Sequence, residues 1–554
     1  MKTTKLLALI VSICMVLSLS AFASGEASGA SGGMMMGGGG SAPTSYDAVY
    51  EITSDETLDG VTMESTTGSE NVVHVYEGAV ATIKNSSFSN SGTGSGGDAA
   101  SFYGVGATLL VSDGEMYVEN VDIDSTTSGG TGVFAYDDGV AYVSGLTFHS
   151  TEGSSGGLHV AGGGTLYAWD CDIETEASMS SAAIRSDRGG GLMVIDGGSY
   201  VTNGGTGAVY VTADISVHDA YLYAGGSEGV AIEGKNTIRL FDCDLTCTMI
   251  PNSLNDNAVW NIIVYQSMSG DADVGTSEYD MIGGTLTCNA GPVIYNTNTS
   301  SYITLSGVDI VRGDDTTYML QVTGNSSSRT WGSAGRNGAN CVFTAVDQVL
   351  PGDVVYDTIS NLDLYLLDGS SLEGAIVCDD SFNGGNTGDG VANVYIDDGS
   401  VWTVTGDSVI TGTLYLAGTI ENATIVDESG AVLAGDGAYT VTVGALENTV
   451  DASGAGEIPV WEDYAVENPF ASDEAGASGE ADADSLEDAY KEYLHEWLIA
   501  EDEVNDTMTE EIRENEFMPL IWAGDYETFP AEMLWSGMLE NGIPMTFEEF
   551  AAQY

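Results

Sequence analysis

The chain is poor in positive charge. Twelve Lys and Arg stand against 83 Asp and Glu in 554 residues, a formal net charge of −71. Nothing here could neutralise a run of phosphates, which excludes a nucleic-acid binder. The same imbalance disfavours anionic membrane surfaces. Proline is scarce as well: 9 residues, where average usage of about 5% would give roughly 28. Long apolar runs are missing after the first 23 residues, so no membrane-spanning segment is expected in the mature chain. Glycine, by contrast, is abundant at 74, against roughly 39 at average usage. Hydrophobic residues make up 43%, enough for a core, so this is not a disordered acidic tail.

Residues 1–23 have the pattern of an export signal. Lys2 and Lys5 form a basic start, residues 6–19 are apolar, and Ala21-Phe22-Ala23 is an A-x-A cleavage site. Ile13 before Cys14 argues against lipoprotein processing, and no LPxTG-type sorting signal is present. Cleavage leaves 10 Lys and Arg and a net charge of −73 on a secreted chain, which is expected outside the cell or at its surface. Residues 24–45 are a Gly/Ser-rich linker carrying Met34-Met35-Met36. Thioethers are soft metal ligands, yet no His or Cys stands nearby, so a flexible coil is the better reading.

The middle of the chain repeats. A unit of Asn, Asp or Gly followed three residues later by an apolar residue recurs, as in Asn85…Phe88, Asn120…Ile123, Gly145…Phe148 and Asp170…Ile173. It continues through Gly197, Asp219, Asp242, Gly283 and Gly307, and Gly60…Met63 precedes it. The closing apolar residues are separated by 25, 35, 25, 25, 27, 22, 23, 41 and 24 residues. A period of about 22–27 with longer insertions is the mark of a solenoid with loops. Positions five and seven before the closing residue are apolar (Val118 and Met116, Val143 and Ala141), so they alternate inward along short strands. Only Asn, Asp or Gly stands three before it, the residues that tolerate a left-handed backbone, so a one-residue kink joins two strands there. A second turn falls at Gly114, Gly139, Gly164 and Gly191, after a third strand such as 133–136. The expected fold is all-β: a right-handed parallel β-helix over 46–450, about 16 rungs and roughly 75 Å long at about 4.8 Å per rung.

This periodicity and its Asn/Asp/Gly kink resemble the pectin lyase-like β-helix superfamily, which includes lyases, hydrolases and non-catalytic adhesins. Asp398-Gly-Ser-Val-Trp402 through Ile410 is similar to rungs of bacterial pertactin-type surface β-helices, and Asp368-Gly-Ser-Ser-Leu372 is a weaker copy. Those relatives usually end in an outer-membrane barrel, which is not seen here. Instead 451–484 reads as an acidic linker and 485–554 as a small helical module. Ser485-Leu-Glu-Asp488 is a capping box, and Leu486, Tyr490, Tyr493, Leu494, Trp497 and Leu498 share a helical face. That face forms the module's own core or docks a protein partner; a core is the better reading.

Several groups carry candidate chemistry. Tyr117, Tyr142 and Tyr167 form an outward ladder on consecutive rungs. Stacked rings stabilise a solenoid by themselves, and an exposed row also suits sugar faces. Asp124, His149 and Glu174 also stand on consecutive rungs, as a solvated polar ladder or as ligands to a divalent metal. Acidic loops are candidate calcium ligands. Cys171 and Cys243 share an inward column roughly 14 Å apart, too far to bond, and are small core residues. Cys247 and Cys288 sit in the similar strings Leu245-Thr-Cys and Leu286-Thr-Cys. If the 41-residue interval is a single rung, they stack within disulfide range. Cys341 and Cys378 remain unassigned.

The first-strand face carries His74, Tyr76, Phe134, Tyr136 and His159, with Arg185 and Arg188 just beyond. In the resembling enzymes this face holds the polysaccharide. NTD, GHG and RIK strings of polygalacturonase-like enzymes are absent. A lyase would have to use Arg185 or Arg188, with His159 near. The expected function is therefore a non-catalytic, adhesin-like β-helix binding glycan or a cell-surface ligand. The alternative is a polysaccharide lyase or glycoside hydrolase, and a third reading is a spacer for the helical module.

Overall fold

The computed structural model describes residues 42–93, 97–177, 181–251, 257–325, 329 and 331–471. The expected signal peptide, most of the Met-rich linker and the expected helical module lie outside them. The described chain is all-β and forms a parallel β-helix. Each full coil has three strands. One coil is Leu158–Ala161, Gly164–Trp169 and Asp172–Thr175; the next is Ile184–Ser186, Gly191–Asp196 and Ser199–Thr202. Each strand pairs in parallel with its counterpart one coil on, as in Leu166↔Met193 and Ile173↔Tyr200.

The kinks fall where the repeat places them. Gly60, Asn85, Asn120, Gly145, Asp170, Gly197, Asp219, Asp242, Gly283 and Gly307 all have φ between 46° and 72°. The same left-handed corner continues at Asp347 and Asp368, beyond the last repeat recognised in the sequence. Asn and Asp pay least among side-chain-bearing residues for this conformation, because their short polar groups bond locally. The inward columns are also as expected. Ala81, Met116, Ala141, Leu166, Met193, Ile215 and Ile238 stack rung on rung and are fully buried. The 41-residue interval is one rung with an insertion, since Leu245 pairs Leu286. Trp402 pairs Leu372, matching the two similar strings, and buries its ring while Nε1 donates to Gly374 O at 2.9 Å.

Outward direction does not mean exposure here. On the second strands one outward column runs Tyr117, Tyr142, Tyr167, Val194, Ser216, Arg239, Asp280, Thr304, Thr344, Tyr365, Tyr395 and Tyr415. Its middle is buried. After the last long strand, Tyr439–Glu447, the chain turns back along the flank of the solenoid. Gly456 N donates to Thr344 Oγ1 at 2.8 Å. Trp461 stacks on His218, with centroids 4.6 Å apart, and meets Phe241. Tyr464 lies 4.3 Å beneath the Arg239 guanidinium. Composition reads 451–484 as a linker, but residues 451–464 are a strap fastened by two aromatic residues and a backbone bond.

Candidate functional site

The first-strand column runs His74, Leu110, Phe134, His159, Arg185, Tyr210, Ala231, Ile263, Tyr295 and Gln321. The register therefore brings His74, Phe134, His159 and Arg185 together, as the sequence predicts. It does not leave them open. A short helix, Asp98–Tyr103, in the insertion after the second coil covers Phe134, His159 and Arg185, while Tyr46 lies against His74. Gly104 ends it in the left-handed region, and a Cβ there would meet Leu110 and Phe134. His159 is fully buried and stacks on Phe134 at 4.2 Å. Burial and the Arg185 charge hold its imidazole well below the usual histidine range. Arg185 is 6% exposed and donates to Ser101 Oγ on the helix and to Asp187 Oδ2. Arg188 pairs with Asp271 at 2.6 Å and lies over the Phe102 ring.

This burial counts against the lyase or hydrolase reading at His159 and Arg185, while Arg188 keeps part of its side chain at the surface. Reacting groups must reach substrate. His159 and Arg185 are roofed by the helix, and both arginines already neutralise carboxylates. His74 is buried too, held at Ser112 Oγ at 2.8 Å and stacked on Tyr76, with its pKa lowered by burial to about 4. Phe134 is buried and Tyr136 meets Tyr103 edge-on, so neither offers a free ring face to a ligand.

Tyr117, Tyr142 and Tyr167 do form the predicted ladder. Successive centroids are 4.6 and 5.3 Å apart, with 8° and 29° between planes. Rings this parallel occupy each other's faces and turn edges and hydroxyls outward. A sugar packs on ring faces, so this geometry favours the stabilising role. Tyr365, Tyr395 and Tyr415 repeat the ladder near the other end, stacked at 4.1 and 4.5 Å.

Asp124, His149 and Glu174 are register neighbours as predicted. His149 Nδ1 lies 3.7 Å from Asp124, but its Nε2 faces Glu176 at 3.4 Å. Glu174 instead accepts from Asn203 Nδ2 at 2.6 Å. The three do not converge, and no set of three or more His, Cys, Asp or Glu among the described residues is arranged to hold a metal ion. Cys247 and Cys288 are directly opposed, as the repeated strings predict, and both are buried free thiols. Cys171, Cys243 and Cys341 are buried in the same core.

Eight rungs beyond His74, the same first-strand column opens into a cleft of about 430 Å³. Trp260, Tyr295, Tyr318 and Phe382 form its aromatic walls, with Gln321, Asn325 and Arg329 between them. These rings are tilted against each other, 48° for Trp260 with Tyr295 and 83° for Tyr318 with Phe382. Trp331 meets Trp260 and Tyr265, and Arg329 stands 4.6 Å over the Trp260 ring. The sequence reading missed this cleft. Its aromatic residues come largely from insertions, where no period fixes direction. The available signal was Trp260 inside the longest interval, close after Asn252, Asn255 and Asn257. Comparisons with family models, curated proteins and solved structures found no match to this chain.

Proposed function

We propose that this chain is a secreted or surface-displayed β-helix of the pectin lyase-like kind that binds neutral glycan, without cleaving it, in the Trp260–Phe382 cleft. The observation that carries this reading is the cleft itself: concave, walled by mutually tilted aromatic rings and edged with amides. Apolar ring faces pack on sugar C–H surfaces while a few polar groups fix orientation. The ligand is neutral because a chain of net charge −71 repels polyanions. The burial of His159 and Arg185 favours this reading over the lyase or hydrolase alternative. The test is affinity electrophoresis of the mature chain through a panel of neutral polysaccharides, with chain ends assayed in parallel. Retardation without new ends is expected, abolished by Tyr318→Ala with Phe382→Ala and retained in Tyr142→Ala. New chain ends, or retardation indifferent to the cleft double variant, would sink this reading.

A further inference from the structure

Behind the cleft, four oxygens have no donor. Asn325, Asn337, Asp357 and Asn383 are each at most 3% exposed, and Oδ1 of every one is buried without a hydrogen-bond partner. Buried acceptors are almost always satisfied, so four in one place need a cause. All four residues meet at Gly324. Asn325 follows it in the chain. Gly324 N donates to Asp357 Oδ2 at 2.7 Å, and Asn383 Nδ2 donates to the same oxygen at 3.0 Å. A Cβ on Gly324 would lie 2.8 Å from Ile359 Cδ1, 2.9 Å from Asn337 Oδ1 and 3.0 Å from Asn383 Cβ, so these side chains close around the glycine.

The amide orientations are fixed by their other ends. Asn325 Nδ2 and Asn337 Nδ2 both donate to Trp331 O, at 3.0 and 3.1 Å. Asn337 Nδ2 also donates to Asn325 O at 3.0 Å, and Asn383 Nδ2 to the carboxylate. Flipping any of them would set oxygen against oxygen. A single water offers two hydrogens and would leave two of the four acceptors unmet. A cation seated among them would take all four as ligands. The set is oxygen only, with no imidazole or thiolate, which selects a hard ion. Three neutral amides and one carboxylate in an irregular arrangement suit calcium, which accepts carbonyl ligands at flexible geometry, over magnesium, which demands a near-ideal octahedron.

The geometry points to a calcium site formed by Asn325, Asn337, Asp357 and Asn383 around Gly324, at the back wall of the cleft. This site differs from the acidic loops and the Asp124 ladder anticipated from sequence. It stands whether or not the cleft takes glycan.

The test uses the full mature chain, stripped with EDTA and titrated with Tb³⁺, whose emission Trp260, Tyr295 and Trp331 are placed to sensitise. Saturable emission displaced by calcium is expected. It should vanish in Asp357→Asn and persist in Asp398→Asn, which removes a surface carboxylate. Calcium should raise the melting temperature of the parent by several degrees and leave Asp357→Asn unmoved. Without calcium, Asp357→Asn should melt no lower than the parent, because a lone buried charge is gone. Equal emission, or an equal calcium response, in parent and Asp357→Asn overturns the site and assigns the ion to the acidic surface. If Asp357→Asn does not fold, Asn383→Ala decides: about tenfold weaker terbium binding is expected on loss of one ligand, and unchanged binding overturns the proposal.

Discussion

Two outward columns of this solenoid are both buried over long stretches, by different means. The first-strand column is roofed by local insertions: the Asp98–Tyr103 helix over Phe134, His159 and Arg185, and the loops carrying Trp260 and Trp331 further on. The second-strand column is covered from Arg239 to Thr344 by a segment more than one hundred residues away in sequence, the strap at 451–464. Where neither reaches, as at Tyr142, side chains satisfy one another by stacking. Strand parity fixes the direction of a side chain and leaves open what comes to lie over it.

The largest perturbation should separate the two covers at the first-strand column. Phe134 is fully buried between the helix and the solenoid. Phe134→Ala should cost about 3–5 kcal/mol, read by urea denaturation, and should release the Asp98–Tyr103 helix to protease. Cleavage at the strap instead would show that the two covers are one cooperative unit.

The strap is best attacked by overfilling. Thr344 is fully buried beneath Gly456. Thr344→Tyr supplies the residue that its neighbour Tyr365 already carries in this column, and there is no room for it under the strap. A loss of about 1–3 kcal/mol is expected, with protease sensitivity confined to residues 451–464.

Acidity should move the two covers in opposite directions. His74 and His159 have pKa values lowered by burial, His74 to about 4 against an ordinary 6.5. Their contribution is present above pH 6.5 and is lost as the pH falls toward 4. Asp280, under the strap, has a pKa raised by burial to about 7. Its contribution is present at low pH and is lost as the pH rises through 7. Between pH 7 and pH 5, hydrogen exchange corrected for intrinsic rate should quicken around His74 and slow around Asp280, by about 1–2 kcal/mol each. Asp280→Asn should remove the second change only.

The smallest effect should come from the ladder. Tyr142→Ala removes two ring stacks and should cost about 1 kcal/mol in thermal unfolding. A larger loss would mean that the ladder is as essential to the solenoid as the covered columns.

The contrast between columns also explains what the sequence could tell. The kinks were legible because a left-handed corner admits Asn, Asp and Gly and little else, so Asn120, Asp170 and Gly197 mark rungs without ambiguity. The inward columns were legible because alternation is a strict geometric rule. The cleft was not, because Trp260, Trp331 and Phe382 sit in loops whose path follows contacts rather than a period. The strap was hidden for another reason. Its Ala, Gly, Asp and Glu content is that of a linker, and Trp461 and Tyr464 alone supply its ring contacts. The four orphaned oxygens come from residues spread between 325 and 383, and no local string brings them together.

A solenoid behaves as a row of units in which each feels only the next, so unfolding can enter at an end and advance one coil at a time. The strap changes that connectivity. By touching His218, Phe241, Arg239 and Thr344 at once, it ties the coils of Arg239 and Thr344, three rungs apart, which share no strand pairing. The stretch beneath it cannot lose one coil without loosening contacts that hold several others. That stretch should therefore melt as a single block, with fraying confined to the coils outside it.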